Sequence, residues 1–241
     1  MSRYWNEFQT YSQMSVEELQ RKAKESSEKA KSKGKEMHPV IVQGRKIANS
    51  WWGQAWCNNL ERYADYANRI DRGKRYVKSG TVIDLQIQEG KINARVQGSR
   101  KTPYKVEIRI SPLKEAQCQK IIQACGEEIE NLEELINGNF PDELKALFLG
   151  EDGLFPSPQE INYDCSCPNW ALMCKHVAAV LYGIAVQFDE NPFLFFELRG
   201  IDVNRFINVT LQNKVEVMLE HAGDKSERQI EEDKIYQVFG L

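Results

Sequence analysis

The stretch Asp164–His176, reading DCSCPNWALMCKH, limits what this chain can be more than any other segment does. It brings Cys165, Cys167, Cys174 and His176 together, so half of the chain's six cysteines and one of its three histidines fall in a window of a dozen positions. The spacing is C-x-C-x6-C-x-H. Three thiolates and one imidazole make a complete tetrahedral set for zinc, an ion without a ligand-field geometry of its own that accepts mixed sulfur and nitrogen shells. Cys165 and Cys167 are two apart, so in an extended segment both point to one face. Pro168 then stops the strand and favours a turn. Cys174 is expected just before the first turn of an apolar helix and His176 inside it, with the loop 168–173 folding one pair over the other. A disulfide or a set of quiet core thiols is the plain alternative, but four soft ligands in two short-spaced pairs point to metal. Four protein ligands close the shell, so one structural ion is expected and a catalytic one, which needs an open position, is not.

The pattern C-x-C…C-x-H, with a helix starting at its last two ligands, resembles the SWIM zinc finger. That module occurs in bacterial proteins, in Swi/Snf-type helicases and their companions, and in Mutator-type transposases. The segments WWGQAWCNNLE, RGKRYVKSGTVIDLQI and ARVQGSRKTPYKV are similar to the body of bacterial SWIM zinc finger proteins. The resemblance implies association with nucleic acid and with a helicase-like ATPase partner in DNA transactions.

Elsewhere, Cys57, Cys118 and Cys125 are scattered singly. The first residues, MSRYWNEFQT, are polar and run into a charged stretch, so no secretory leader is expected. Reduced thiols and a cytoplasmic location follow from the two together. The longest apolar run, Val177–Val186, is too short to span a bilayer, so no membrane role is expected. The net charge of −3 hides an asymmetry: residues 1–120 hold 24 Lys+Arg against 13 Asp+Glu, residues 121–241 hold 8 against 22. The amino half is therefore the candidate for polyanion contact.

Along the chain, residues 1–36 read as a basic, partly flexible arm containing a helix capped by Ser15 with Glu18 three residues on. A mere soluble tail and a phosphate-binding arm are equal readings of it. Residues 37–115 read as an α+β domain. Ser50 caps a helix with Trp52, Trp56, Leu60, Tyr63 and Ala67 on one face. Three tryptophans invite a base-stacking role, but at helical spacing they read as core, with Trp51 alone free to project elsewhere. Residues 69–80 read as a basic, glycine-bracketed loop. Ile83, Leu85 and Ile87, then Ile92, Ala94 and Val96, then Val106, Ile108 and Ile110 alternate with polar residues. Strict period two with short Gly/Pro connections predicts a three-stranded antiparallel meander, covered by the tryptophan-bearing helix. Residues 116–150 read as a helical segment, with Pro112 at a first helical position and a long amphipathic run to Asn137. Residues 151–200 hold a small ββα-like zinc finger module, whose closing aromatics in PFLFFELRG are expected to cover the metal. Residues 201–241 read as a helical tail. The fold class is α+β.

Phosphate contacts want Lys and Arg on exposed positions. Arg72, Lys74, Arg75 and Lys78 lie in one basic segment and Arg100 and Lys101 in another, and a meander puts both at one end. Arg95 and Arg109 could extend this surface. DNA or RNA is thus a possible partner through residues 69–101; a merely solvated basic face is the other reading. Lys175 is the one cation within 164–185, so the finger itself is poorly equipped to read DNA, and its zinc is assigned to folding. Nothing points to catalysis: no G-x4-G-K-[ST] occurs, and Cys174 and His176 are too close in sequence to leave zinc and act as a dyad. A non-enzymatic zinc protein that contacts nucleic acid, protein or both is the reading, with a pure protein-binding adaptor as its alternative.

Overall fold

In the computed structural model, which describes residues 14–62, 67–128, 132–150, 152–169 and 173–220, the period-two segments form the expected meander. Strands β1 (Val82–Gln88), β2 (Lys91–Val96) and β3 (Tyr104–Ile110) pair antiparallel in the order of the chain. A two-residue turn joins β1 to β2, with Gly90 at φ 63°, where a side chain would be strained. The register sets Ile92 opposite Ile108 and Ala94 opposite Val106, so one apolar face is continuous. The α+β class therefore stands. The separate ββα-like unit is modified: the finger contributes one strand, β4 (Ile161–Cys165), which pairs with β3 as the fourth strand of the same sheet.

The cover of the sheet differs from the expected one. Helix α7 (Lys175–Glu190) lies across all four strands, while α2 (Trp51–Arg62) and α3 (Ala67–Lys78) pack on the far side of α7. The reason is in the composition of α7. Its residues from His176 to Val186 are all buried, as is Phe188, and a helix apolar on every side must be sandwiched. Gly183 lets Leu85 and Val40 approach its backbone on the sheet side. Trp52 and Trp56 are fully buried against α7 and the later helices, and the Trp56 indole N–H donates to the Leu181 carbonyl at 2.8 Å. Trp51 is half-buried and meets Phe140 edge to face at 5.4 Å. All three are packing residues, not free stacking platforms.

The N-terminus of α2 is anchored from afar. Ser50 caps it, accepting from the Gly53 amide at 3.1 Å, and the Asp189 carboxylate accepts from the Asn49 and Ser50 amides and from the Ser50 hydroxyl. Helix α1 (Val16–Lys31) forms with Ser15 as its cap, as read from sequence. It is not solvated along its whole length, because Leu19 and Ala23 are buried and the Lys22 ammonium donates to the Ser99 carbonyl at 3.0 Å. The first residues of the chain lie outside the described ones.

Helix α4 (Glu115–Glu128) starts later than Pro112 suggested, since the Leu113 amide is taken by the Arg199 carbonyl. The rest of the long run is helical again at α5 (Leu132–Asn137), with residues 129–131 outside the described set, and α6 (Asp142–Leu149) follows within the expected helical segment. Helix α8 (Phe193–Leu198) sits at the far end of α7, about 24 Å from its start at 1.5 Å per residue. Its Phe195 and Phe196 pack on Trp52, Trp56 and Phe188, not over the metal site as expected. Helix α9 (Val203–Glu220) lies on α4, and the rest of the expected helical tail falls outside the described residues. Arg199, 1% exposed, donates to the Ser111 carbonyl and to the Glu160 carboxylate at 2.7 Å, fastening β3 to the approach to β4. Among the described residues no helix is long and apolar enough to cross a membrane.

Candidate metal centre

The end of β4 and the start of α7 bring the four sequence-predicted ligands together. Cys165 is the last residue of β4, and Cys167 lies in the turn after it. The turn is held to the sheet edge, because the Ser166 amide donates to the Lys105 carbonyl and the Ser166 hydroxyl accepts from the Lys105 amide. Cys174 is the N-cap of α7, its sulfur accepting from the Val177 amide at 3.5 Å, and His176 is the second residue of the helix. The part of the connecting loop at residues 170–172 lies outside the described residues.

The ligand atoms of Cys165, Cys167, Cys174 and His176 all lie within 4.8 Å of one another. His176 turns Nδ1 to the sulfurs, 3.9 Å from Cys165 Sγ and 3.8 Å from Cys174 Sγ. A tetrahedral shell with zinc–sulfur bonds of ~2.3 Å spaces its sulfurs by about 3.8 Å. The four residues are therefore positioned to bind one zinc ion, and this donor set, rich in thiolate, suits zinc over harder cations.

The start of the helix distinguishes one thiol from the other two. Cys174 is held well below the ordinary thiol range by a hydrogen bond from the Cys165 thiol, against the pull of burial, with His176 and the Val177 amide assisting. The same bond, together with burial, pushes Cys165 up; burial raises Cys167. A helix N-terminus favours one thiolate at Cys174, and the metal must displace protons from the other two.

Around His176 the structure adds residues that sequence reasoning missed. The imidazole lies between Tyr104 of β3, tilted 31° with ring centres 4.3 Å apart, and Tyr76 of α3, edge-on at 5.5 Å. Arg100 sits on the Tyr104 ring at 5.6 Å and Lys175 on the Tyr76 ring at 4.8 Å. His176 Nε2 is buried and has no hydrogen-bond partner among the described residues. Metal-bound histidines usually donate their second N–H to an oxygen. Here two tyrosine rings, one tilted over the imidazole and one edge-on, each backed by a cation, hold it instead. The only hint in the sequence was the alternation that buries Tyr104 at the start of β3.

The basic residues are placed differently from their expected loop. Residues 69–80 are not a loop: α3 runs to Lys78 and stops at Gly80, with Ile70, Gly73, Tyr76 and Val77 forming an apolar face that the cations masked. Gly73 serves close approach, since a Cβ there would lie 2.5 Å from the Ala178 Cβ of α7. Lys74 pairs with Glu61 at 2.7 Å, Arg75 donates to the Met14 carbonyl, Lys78 donates to the Arg45 carbonyl, and Arg72 is exposed. Arg100 and Lys101 are exposed on the β2–β3 connection. The six candidates thus spread over more than one face and do not converge. Arg95 and Arg109, on the polar sheet face, meet Asp84 and Glu107. Yet α3 and the finger are neighbours: Arg69 donates to the Met173 carbonyl at 3.0 Å, so the basic helix lies against the metal module and not away from it.

Fold and site together define a zinc-binding α+β protein whose metal closes one strand of a sheet onto the helix that covers it. Residues 148–182 match the family model of the SWIM zinc finger, so the chain carries that module. It is also similar to Uncharacterized protein Rv2102 of Mycobacterium tuberculosis, 37% identical over 156 residues, which is 64% of this chain and 56% of that protein. The chain thus spans little more than half the length of that relative. No solved structure matches it.

Proposed function

We propose that this protein is a non-enzymatic, zinc-stabilised module that contacts nucleic acid. The observation that carries the reading is the packing of α3 on α7, with Gly73 against Ala178 and Arg69 bonded to Met173. Zinc fixes the start of α7, and α7 fixes the orientation of the most basic helix in the chain. The metal thereby acts as a stand for cations that touch phosphates, and itself touches nothing. A shell closed by four protein ligands offers no open position for a substrate or an activated water, which supports a non-catalytic role. Free thiols at Cys57, Cys118 and Cys125 suit a reducing, cytoplasmic setting.

A Swi/Snf-type ATPase as protein partner belongs to the same proposal, and the carboxyl half favours it. The outer sides of α4 and α6 carry Glu127, Glu128, Asp142 and Glu143, a surface that repels phosphates and suits a basic protein. The test is fluorescence anisotropy of zinc-loaded protein with single- and double-stranded DNA and RNA between 50 and 200 mM salt. Affinity is expected to fall steeply with salt, and the fall to flatten when Arg72, Arg100 and Lys101 are changed to Gln. No salt-sensitive binding to any of the four leaves the protein-adaptor reading, which capture of the ATPase by wild type but not by Cys174→Ser then supports.

A further inference from the structure

A second feature lies on the opposite flank of α3 from Arg72. The segment 45–48, α2, α3 and the side of Tyr182 enclose a cleft of about 300 Å³ lined by Arg45, Lys46, Lys74 and Lys78. The cations converge from two separate parts of the chain. The bond from Lys78 to the Arg45 carbonyl, 2.7 Å, ties the segment to the helix and sets their charges side by side. One carboxylate lines the cleft, Glu61, and its charge is spent: Lys74 bridges it at 2.7 Å and the Tyr182 hydroxyl donates to it at 2.7 Å. Asp189, the nearby acid on α7, is occupied by the amides at the start of α2. Arg45 and Lys46 make no ion pair with any described residue, and with Lys78 they leave three cations facing one concavity. Gln54 and Asn58 line the same space.

We infer that this cleft is a phosphate-binding site, taking a phosphate group from a nucleic-acid backbone or from a free phosphate compound. A carboxylate ligand would satisfy one cation; Arg45 and Lys46, free of ion pairs, and Lys78, held only by a neutral carbonyl, fit the multiple charged oxygens of phosphate. Low-dielectric walls focus their field. Burial and the neighbouring Glu61 push the thiol of Cys57, at the cleft wall, up to about 12, which favours its protonated form. The backbone source rests on the nucleic-acid reading above; the site itself does not. Neither Arg45 nor Lys46 was among the cations picked out by sequence, because they stand apart from the 69–101 run.

The double variant Arg45→Gln/Lys46→Gln tests it, both side chains being exposed; zinc content and circular dichroism confirm the fold. Binding of a single-stranded oligonucleotide is followed by anisotropy, and binding of inorganic pyrophosphate by calorimetry. The expected result is an affinity for the oligonucleotide at least about tenfold weaker in the variant, with a salt slope reduced by about 1.4. If wild type binds pyrophosphate alone and the variant loses it, the site stands with a free phosphate ligand and the nucleic-acid function falls. If wild type binds either probe and the variant keeps its affinity within about twofold, the site is overturned; where the retained probe is the oligonucleotide, the nucleic-acid reading survives on other residues. Binding of neither probe by wild type overturns the site; the nucleic-acid reading then stands or falls on the duplex arms of the test above.

Discussion

His176 shows how a ligand can be held without the usual oxygen partner. Its Nδ1 faces the sulfurs, its Nε2 is buried, and its ring is gripped by Tyr104 and Tyr76. Changing Tyr104 to Leu keeps the strand apolar but removes the aromatic face. Zinc retention, measured by competition with a chromogenic chelator, is expected to weaken by about 10-fold, with a changed d–d spectrum of the cobalt-substituted protein. An unchanged affinity and spectrum would show that the tyrosine is packing alone. The four ligands were legible in the sequence because they are neighbours there and their chemistry is specific. Tyr76 and Tyr104 were not, since their meeting with His176 exists only once α3, β3 and α7 are assembled.

At the scale of elements, strands were easier to read than helices. The meander has one apolar face, and period-two alternation announces it. Helix α3 hid because seven of its twelve residues are polar or charged around an apolar face of four, and because Gly73 reads as a loop residue until its contact with Ala178 is seen. That contact is testable by a cycle. Gly73→Ala alone is expected to cost about 2 kcal/mol, the scale of overpacking in a close-packed interface, read from the midpoint of urea unfolding. Ala178→Gly in the same chain vacates the clashing methyl and recovers part of the loss. Equal destabilisation with and without Ala178→Gly would sink the close-approach account. The choice of cover for the sheet was misread for another reason: adjacency along the chain favoured α2, whereas the all-round burial of α7 decides.

In the whole molecule, one hydrophobic core runs from Leu19 to Phe206 and includes Cys174 and Val177 at the metal site. Metal removal is therefore expected to loosen the entire protein. Chelation should lower the melting temperature by about 10–20 °C, as a loss of about 5 kcal/mol implies for a chain of this size. Tryptophan emission and far-ultraviolet circular dichroism should shift together, because Trp52 and Trp56 lie on the far side of α7 from the sheet. In a Trp170→Phe background, which removes the finger's own tryptophan, intact emission after chelation would mean that the finger melts alone. The placement of α7 also carries a consequence for biogenesis. The meander is complete at Ile110, but the helix that covers its apolar face begins at Lys175. On the ribosome, a nascent chain must carry that bare, aggregation-prone surface until the distant helix emerges, so productive folding of the sheet waits on α7 and favours a holding chaperone in the interval.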